Sequence, residues 1–136
     1  MMKGDIVQGQ ELAYKIADLI LEKKGEDIVI QDLRQVTSMT DFFVLCSVDV
    51  EGQAKAIMDY IKDQLLYQSI KPWHTEGNTN SSWILLDFVD VVVHIFRKEA
   101  RHYYGLEQLW GDAKTIEIKE KDDTAGTHTK RTEQDS

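Results

Sequence analysis

The chain has one cysteine and one proline in 136 residues, and it carries fewer basic than acidic side chains. Each shortage excludes something. With Cys46 alone, no disulfide can form within the chain, and its place in Phe42-Phe43-Val44-Leu45-Cys46 marks a buried thiol that packs as a small hydrophobe. No apolar stretch approaches the roughly 20 residues that span a bilayer, and the first residues lack a basic segment followed by an apolar one. These absences lead to the expectation of a cytoplasmic protein without membrane association. The formal net charge of -8, from 16 Lys and Arg against 24 Asp and Glu, disfavours direct binding to free nucleic acid, whose affinity is built largely by neutralising phosphates. A basic protein partner fits an acidic surface better, including one embedded in a nucleic-acid assembly. No glycine-rich phosphate loop occurs, and no Ser-His-Asp or Cys-His arrangement is suggested by context.

What is present is ordinary for a folded domain: 42% hydrophobic and 29% charged residues, in a chain long enough to bury a core without disulfides or a structural metal. Residues 1–112 read as one domain. Residues 113–136 read as a disordered polar tail, charged and threonine-rich, with too little apolar surface to offset the entropy of ordering it.

Within the domain, Leu12, Ala13, Ile16, Ala17, Leu19 and Ile20 recur at helical spacing, and Gly25 is placed to stop that helix. Short β-favouring runs follow at residues 27–33 and 41–48, joined by a polar link too short for a crossover helix, so they are expected to pair as a hairpin. A second helix, opened by Asp49-Val50-Glu51-Gly52, places Ala54, Ile57, Met58, Ile61, Leu65 and Leu66 on one face and runs to about Ser69. Pro72 fixes an extended entry into Trp73-His74-Thr75-Glu76, and residues 77–82 form a loop. Residues 83–88 and 91–96 are apolar at both parities, which predicts central strands covered on both faces. A last helix is expected over residues 98–110.

Function should concentrate in residues 83–110, where an apolar stretch keeps two carboxylates at a turn and an imidazole inside a valine run. Asp87 and Asp90 flank the tight Phe88-Val89 connection. Such residues often bond nearby backbone amides, yet outward-facing they would accept strong charge-assisted bonds from a partner's Arg or Lys. With His94 they could also be set against a divalent metal, though no ligand spacing is diagnostic. His94 shares its strand face with Val92 and Phe96, and a lone histidine there is more often a hydrogen-bonded core or interface residue than a base. Trp83, Tyr103, Tyr104 and Trp110 all have core as their commonest fate, with Trp110 and Leu106 four apart on one helix face. Arg101 is equally suited to stacking on a ring, bridging to Glu107 or meeting a partner.

The segments Thr40-Asp41-Phe42-Phe43-Val44, Glu76-Gly77, Trp83-Ile84-Leu85-Leu86-Asp87, Asp90-Val91-Val92-Val93-His94-Ile95-Phe96, Arg101 and Tyr104-Gly105-Leu106-Glu107-Gln108-Leu109-Trp110 together resemble the Iojap-like family, the ribosomal silencing factors called RsfS. Their order and spacing span residues 13–113. The sequence departs from that family's pattern at residues 46–50 and at Val89, both loop positions. The resemblance implies an α/β (α+β) fold with a mixed, about five-stranded sheet flanked by helices, nucleotidyltransferase-like in topology but without catalysis or cofactor. It implies docking on large-subunit protein uL14, which blocks joining of the small subunit and represses translation. It also permits a homodimer. The surface so implied comprises Trp83, Asp87, Asp90, Val92, His94, Phe96, Arg101 and Tyr104, with Trp83 as an aromatic anchor. The alternative class is a metal-dependent nucleotidyltransferase-like enzyme using Asp87 and Asp90.

Overall fold

The computed structural model describes residues 9–50 and 52–120, and the backbone alone of residues 129–134. Its first helix, α1 (Gly9–Glu22), buries the six apolar residues that the spacing selects. The chain leaves α1 through Lys24, whose φ of 68° is left-handed, while the Gly25 N–H donates to the Ile20 carbonyl at 3.0 Å. Gly25 is required for a different reason than conformational freedom, since a Cβ there would lie 2.3 Å from Ile20 Cγ2.

β1 (Glu26–Asp32) and β2 (Phe42–Val48) pair antiparallel as expected, with Ile30 opposite Val44. After α2 (Gln53–Leu66), the extended segment past Pro72 becomes a three-residue edge strand, β3 (His74–Glu76). It pairs with β4 (Trp83–Asp87), which turns tightly into β5 (Val91–Arg97). β5 then lies parallel to β2, with Val44 opposite Val93. The expected last helix is broken. Gly105, at φ 59°, ends α3 (Lys98–Tyr104) and starts the short α4 (Leu106–Leu109), because a left-handed residue cannot continue the helical hydrogen-bond ladder.

The largest departure from expectation is at the C-terminus. The stretch read as the start of a disordered tail forms β6 (Lys114–Glu120), antiparallel to β1, and β7 (Thr129–Gln134) adds to its outer edge. The sheet therefore has seven strands rather than about five, in the order β3-β4-β5-β2-β1-β6-β7. Ile116 and Ile118, two apart among polar neighbours, are both buried. Such alternation is the pattern of a strand with one covered face, and averaging over the whole segment conceals it. The rest of the expected tail, residues 121–128 and 135–136, lies outside the described residues.

The two sheet faces are treated differently. Phe42, Val44, Cys46, Val91, Val93, Ile95, Ile28 and Ile30 join α1 and α2 in the main core. The opposite parity of the same strands faces the other way, where Leu45, Phe96 and Ala100 form a smaller cluster with Phe43, Trp83 and Leu106 against it. Helices α3 and α4 reach only that end. The expectation of β4 covered on both faces is thus half met: Ile84 and Leu86 are buried, while Trp83, Leu85 and Asp87 are only partly covered.

Candidate functional site: an apolar groove on the open sheet face

Where the second face lacks a helical cover, the strands leave a groove of about 480 Å³. Strand register builds its floor. Phe43 on β2 lies beside Val92 on β5, and His94 on β5 lies beside Leu85 on β4, so all four side chains share one face. Segments between elements supply the walls: Leu33, Thr37 and Met39 from the β1–β2 link, Trp73 before β3, Val89 in the β4–β5 turn and Trp110 after α4.

His94 sits at the inner end of that floor, almost wholly buried. Its Nδ1 accepts a hydrogen bond from the Trp83 indole N–H at 3.1 Å, which leaves the ring proton on Nε2 in the neutral form. The Phe43 ring meets it edge-on with centroids 4.5 Å apart. Removal from water pushes its pKa down to about 3, so the imidazole is neutral at ordinary pH. Nε2 has no hydrogen-bond partner among the described residues, and the same is true of Nε1 of Trp110.

The β4–β5 turn is tied down through backbone atoms. The Val89 N–H donates to Asp87 Oδ1 at 2.7 Å, and the Thr40 hydroxyl donates to the Val89 carbonyl at 2.9 Å. The Asp90 carbonyl accepts from the N–H groups of Asp41 and Phe42 at 3.1 and 3.0 Å, while its side chain stays exposed. Asp87 therefore has one carboxylate oxygen engaged in the turn and still lines the groove. Among the described residues, no group of three His, Cys, Asp or Glu side chains is placed to hold a metal ion.

Of the eight residues expected at a docking surface, Asp87, Val92 and His94 line the groove. Asp90 is exposed at the adjoining turn. Tyr104 projects from α3 and packs on Trp83 with ring centroids 4.8 Å apart. Phe96, by contrast, is fully buried in the smaller cluster, so it supports the surface from below. Arg101, with its side chain only 12% exposed, is a structural clamp: its guanidinium pairs with both oxygens of Glu107 at 2.8 and 3.0 Å. It also donates to the Asp27 carbonyl and the Ser47 hydroxyl, tying α3 and α4 to the β1 and β2 ends.

The tryptophans exchange their expected roles in part. Trp110 lines the groove instead of sitting in the core, because the Gly105 break takes it off the helix face it would share with Leu106. Trp83 bridges sheet and helix, packing on Phe96 with centroids 5.0 Å apart as well as on Tyr104. Trp83→Ala is therefore expected to cost about 2 kcal/mol of stability, below the range for a fully buried tryptophan because Trp83 is only partly buried. Thermal melts beside affinity measurements check this; an unchanged melting temperature with lost binding would return Trp83 to a purely interfacial role.

Sequence reasoning missed Phe43, Leu85, Met39, Trp73 and Val89. Parity within β2 separates Phe43 from Phe42 and Val44, but which parity is the open one depends on where the helices land.

The match to known proteins follows from the same elements. Residues 7–136 match the family model described as ribosomal silencing factor during starvation, RsfS. The chain belongs to the RsfS family. The ribosomal silencing factor RsfS of Halalkalibacterium halodurans is 38% identical over 112 residues, which are 82% of this chain and 96% of that protein. The chloroplastic protein Iojap of Zea mays is 34% identical over 108 residues, covering 78% of this chain and 46% of the plant protein. A crystal structure of a Chromobacterium violaceum protein, 30% identical, superimposes with a TM-score of 0.73 over 76% of this chain and 87% of the other. About three quarters of this chain thus shares the fold of that structure. No helix among the described residues is long and apolar enough to cross a membrane.

Proposed function

We propose that this chain is a ribosomal silencing factor of the cytoplasm that docks through the open-face groove on uL14 of the large subunit, blocks joining of the small subunit, and so represses translation. It acts by binding, without a cofactor. The observation that carries this reading is the groove itself: an apolar concavity on a sheet face left without a helix, in a family whose relatives are named for silencing ribosomes. Apolar grooves with a few convergent polar groups are the usual form of a binding site. The net charge of -8 suits a basic ribosomal partner, and charge of opposite sign speeds and orients encounter.

Sedimentation of mixed subunits tests it. Saturating protein should leave free subunits where untreated mixtures give joined ribosomes. Val92→Lys places a cation in the groove floor against a basic partner, and its long stem lets the charge reach water, so the fold should persist. This variant should bind large subunits at least tenfold more weakly and restore joining. Unchanged joining at saturating wild-type protein would refute the reading.

A further inference from the structure

Val89 occupies a backbone conformation that its side chain opposes. Its φ is 77°, and a β-branched residue in the left-handed region is a true outlier, because the branched Cβ crowds the neighbouring carbonyl. Glycine or asparagine would occupy the position with far less strain. The turn does not need the valine. Its hydrogen bonds here, to Asp87 Oδ1 and from the Thr40 hydroxyl, use only the Val89 backbone N–H and carbonyl. Val89 is 56% exposed and borders the groove. The side chain therefore strains the turn while most of its surface faces outward.

Two other exposed apolar side chains border the same groove: Met39, 81% exposed, and Trp73, 76% exposed. They come from three separate connections, the β1–β2 link, the α2–β3 link and the β4–β5 turn. Exposed apolar groups scattered singly are ordinary, but three converging on one concavity are the mark of a contact surface. The carboxylates of Asp87 and Asp90 flank Val89 in sequence, so an apolar contact is set directly beside negative charge.

We propose that Val89 is a specificity contact: with Met39 and Trp73 it forms an apolar rim that grips an apolar side chain on a basic segment of the docked ribosomal protein, and the strain at φ 77° is retained for that contact. This rests on the docking reading above. Strained residues persist where surrounding structure over-determines them, and they cluster at sites of recognition.

The test uses the full chain and isolated large ribosomal subunits, with Tm and affinity read for each variant. Val89→Gly relieves the strain and removes the rim contact, so Tm should rise by about 4 °C while affinity falls roughly tenfold. Val89→Asn, which tolerates left-handed backbone but is polar, should behave alike. Val89→Ile keeps both strain and apolar bulk, and should keep wild-type affinity. A Val89→Gly protein that binds as tightly as wild type, while Val92→Lys binds poorly, would overturn the rim contact and leave the docking reading standing. Wild-type binding by Val92→Lys would remove both. A fall in Tm together with affinity for Val89→Gly would show that the valine serves the fold, which also overturns the proposal.

Discussion

A chain ended at Ala113 is expected to lose its cooperative thermal transition. Without β6, Ile116 and Ile118 no longer cover the sheet beside Ile28 and Ile30, and burial of each is worth about 2 kcal/mol. The loss extends to β1, whose backbone N–H and carbonyl groups along that edge are left unpaired. Together these approach the whole stability of an ordinary domain, roughly 5–15 kcal/mol. Circular dichroism at 222 nm on heating is the measurement. Ile118→Asp, in the intact chain, should act in the same direction by placing a carboxylate where the isoleucine is 3% exposed. If the shortened chain melted within a few degrees of the full one, residues 114–120 would be the dispensable tail that their composition suggests.

The second large effect is acid sensitivity centred on His94. Its folded pKa of about 3 lies below the 6.5 of an unconstrained histidine. Above pH 6.5 the ring is neutral whether the chain is folded or not, and the group contributes nothing to pH dependence. As pH falls below that point the unfolded chain takes up a proton that the folded chain refuses. Stability therefore drops by about 1.4 kcal/mol per pH unit, or roughly 2 kcal/mol between pH 7 and pH 5. Asp32, whose pKa is lowered chiefly by its hydrogen bond to Arg34, adds a loss in the same direction only at still lower pH. Urea midpoints at pH 7, 6 and 5 would show the slope. His94→Asn keeps an acceptor for the Trp83 N–H but has no group that titrates there, and its midpoint should vary much less across this range. Equal slopes in both proteins would assign the acid sensitivity elsewhere.

The parts of this molecule legible in sequence are those fixed by short-range period. The buried stripe of α1 follows from 3.6-residue spacing alone, and the antiparallel pairing of β1 with β2 follows from two short strands and a brief polar link. The break at Gly105 was signalled by the residue type but hidden by the apolar spacing that continues through it. The groove was not legible, because its walls come from segments as distant as Met39, Trp73, Val89 and Trp110. Asp87, Val92 and His94 were found because they fall within one short stretch. Arg101 was open between clamp and contact until Glu107, Asp27 and Ser47 were seen to converge on it.

The pairing of β1 with β6 also sets a timetable for the chain's own making. Ile30 meets its partner Ile116 only after 86 more residues have been synthesised, which at 5–20 residues per second is about 4–17 s. During that interval β1 can pair with β2, but its other edge stays open. Contacts so distant along the chain slow folding and leave strand edges available to other chains. A nascent chain of this protein is therefore most exposed to misassembly just before β6 emerges, and β1 gains its second neighbour only then.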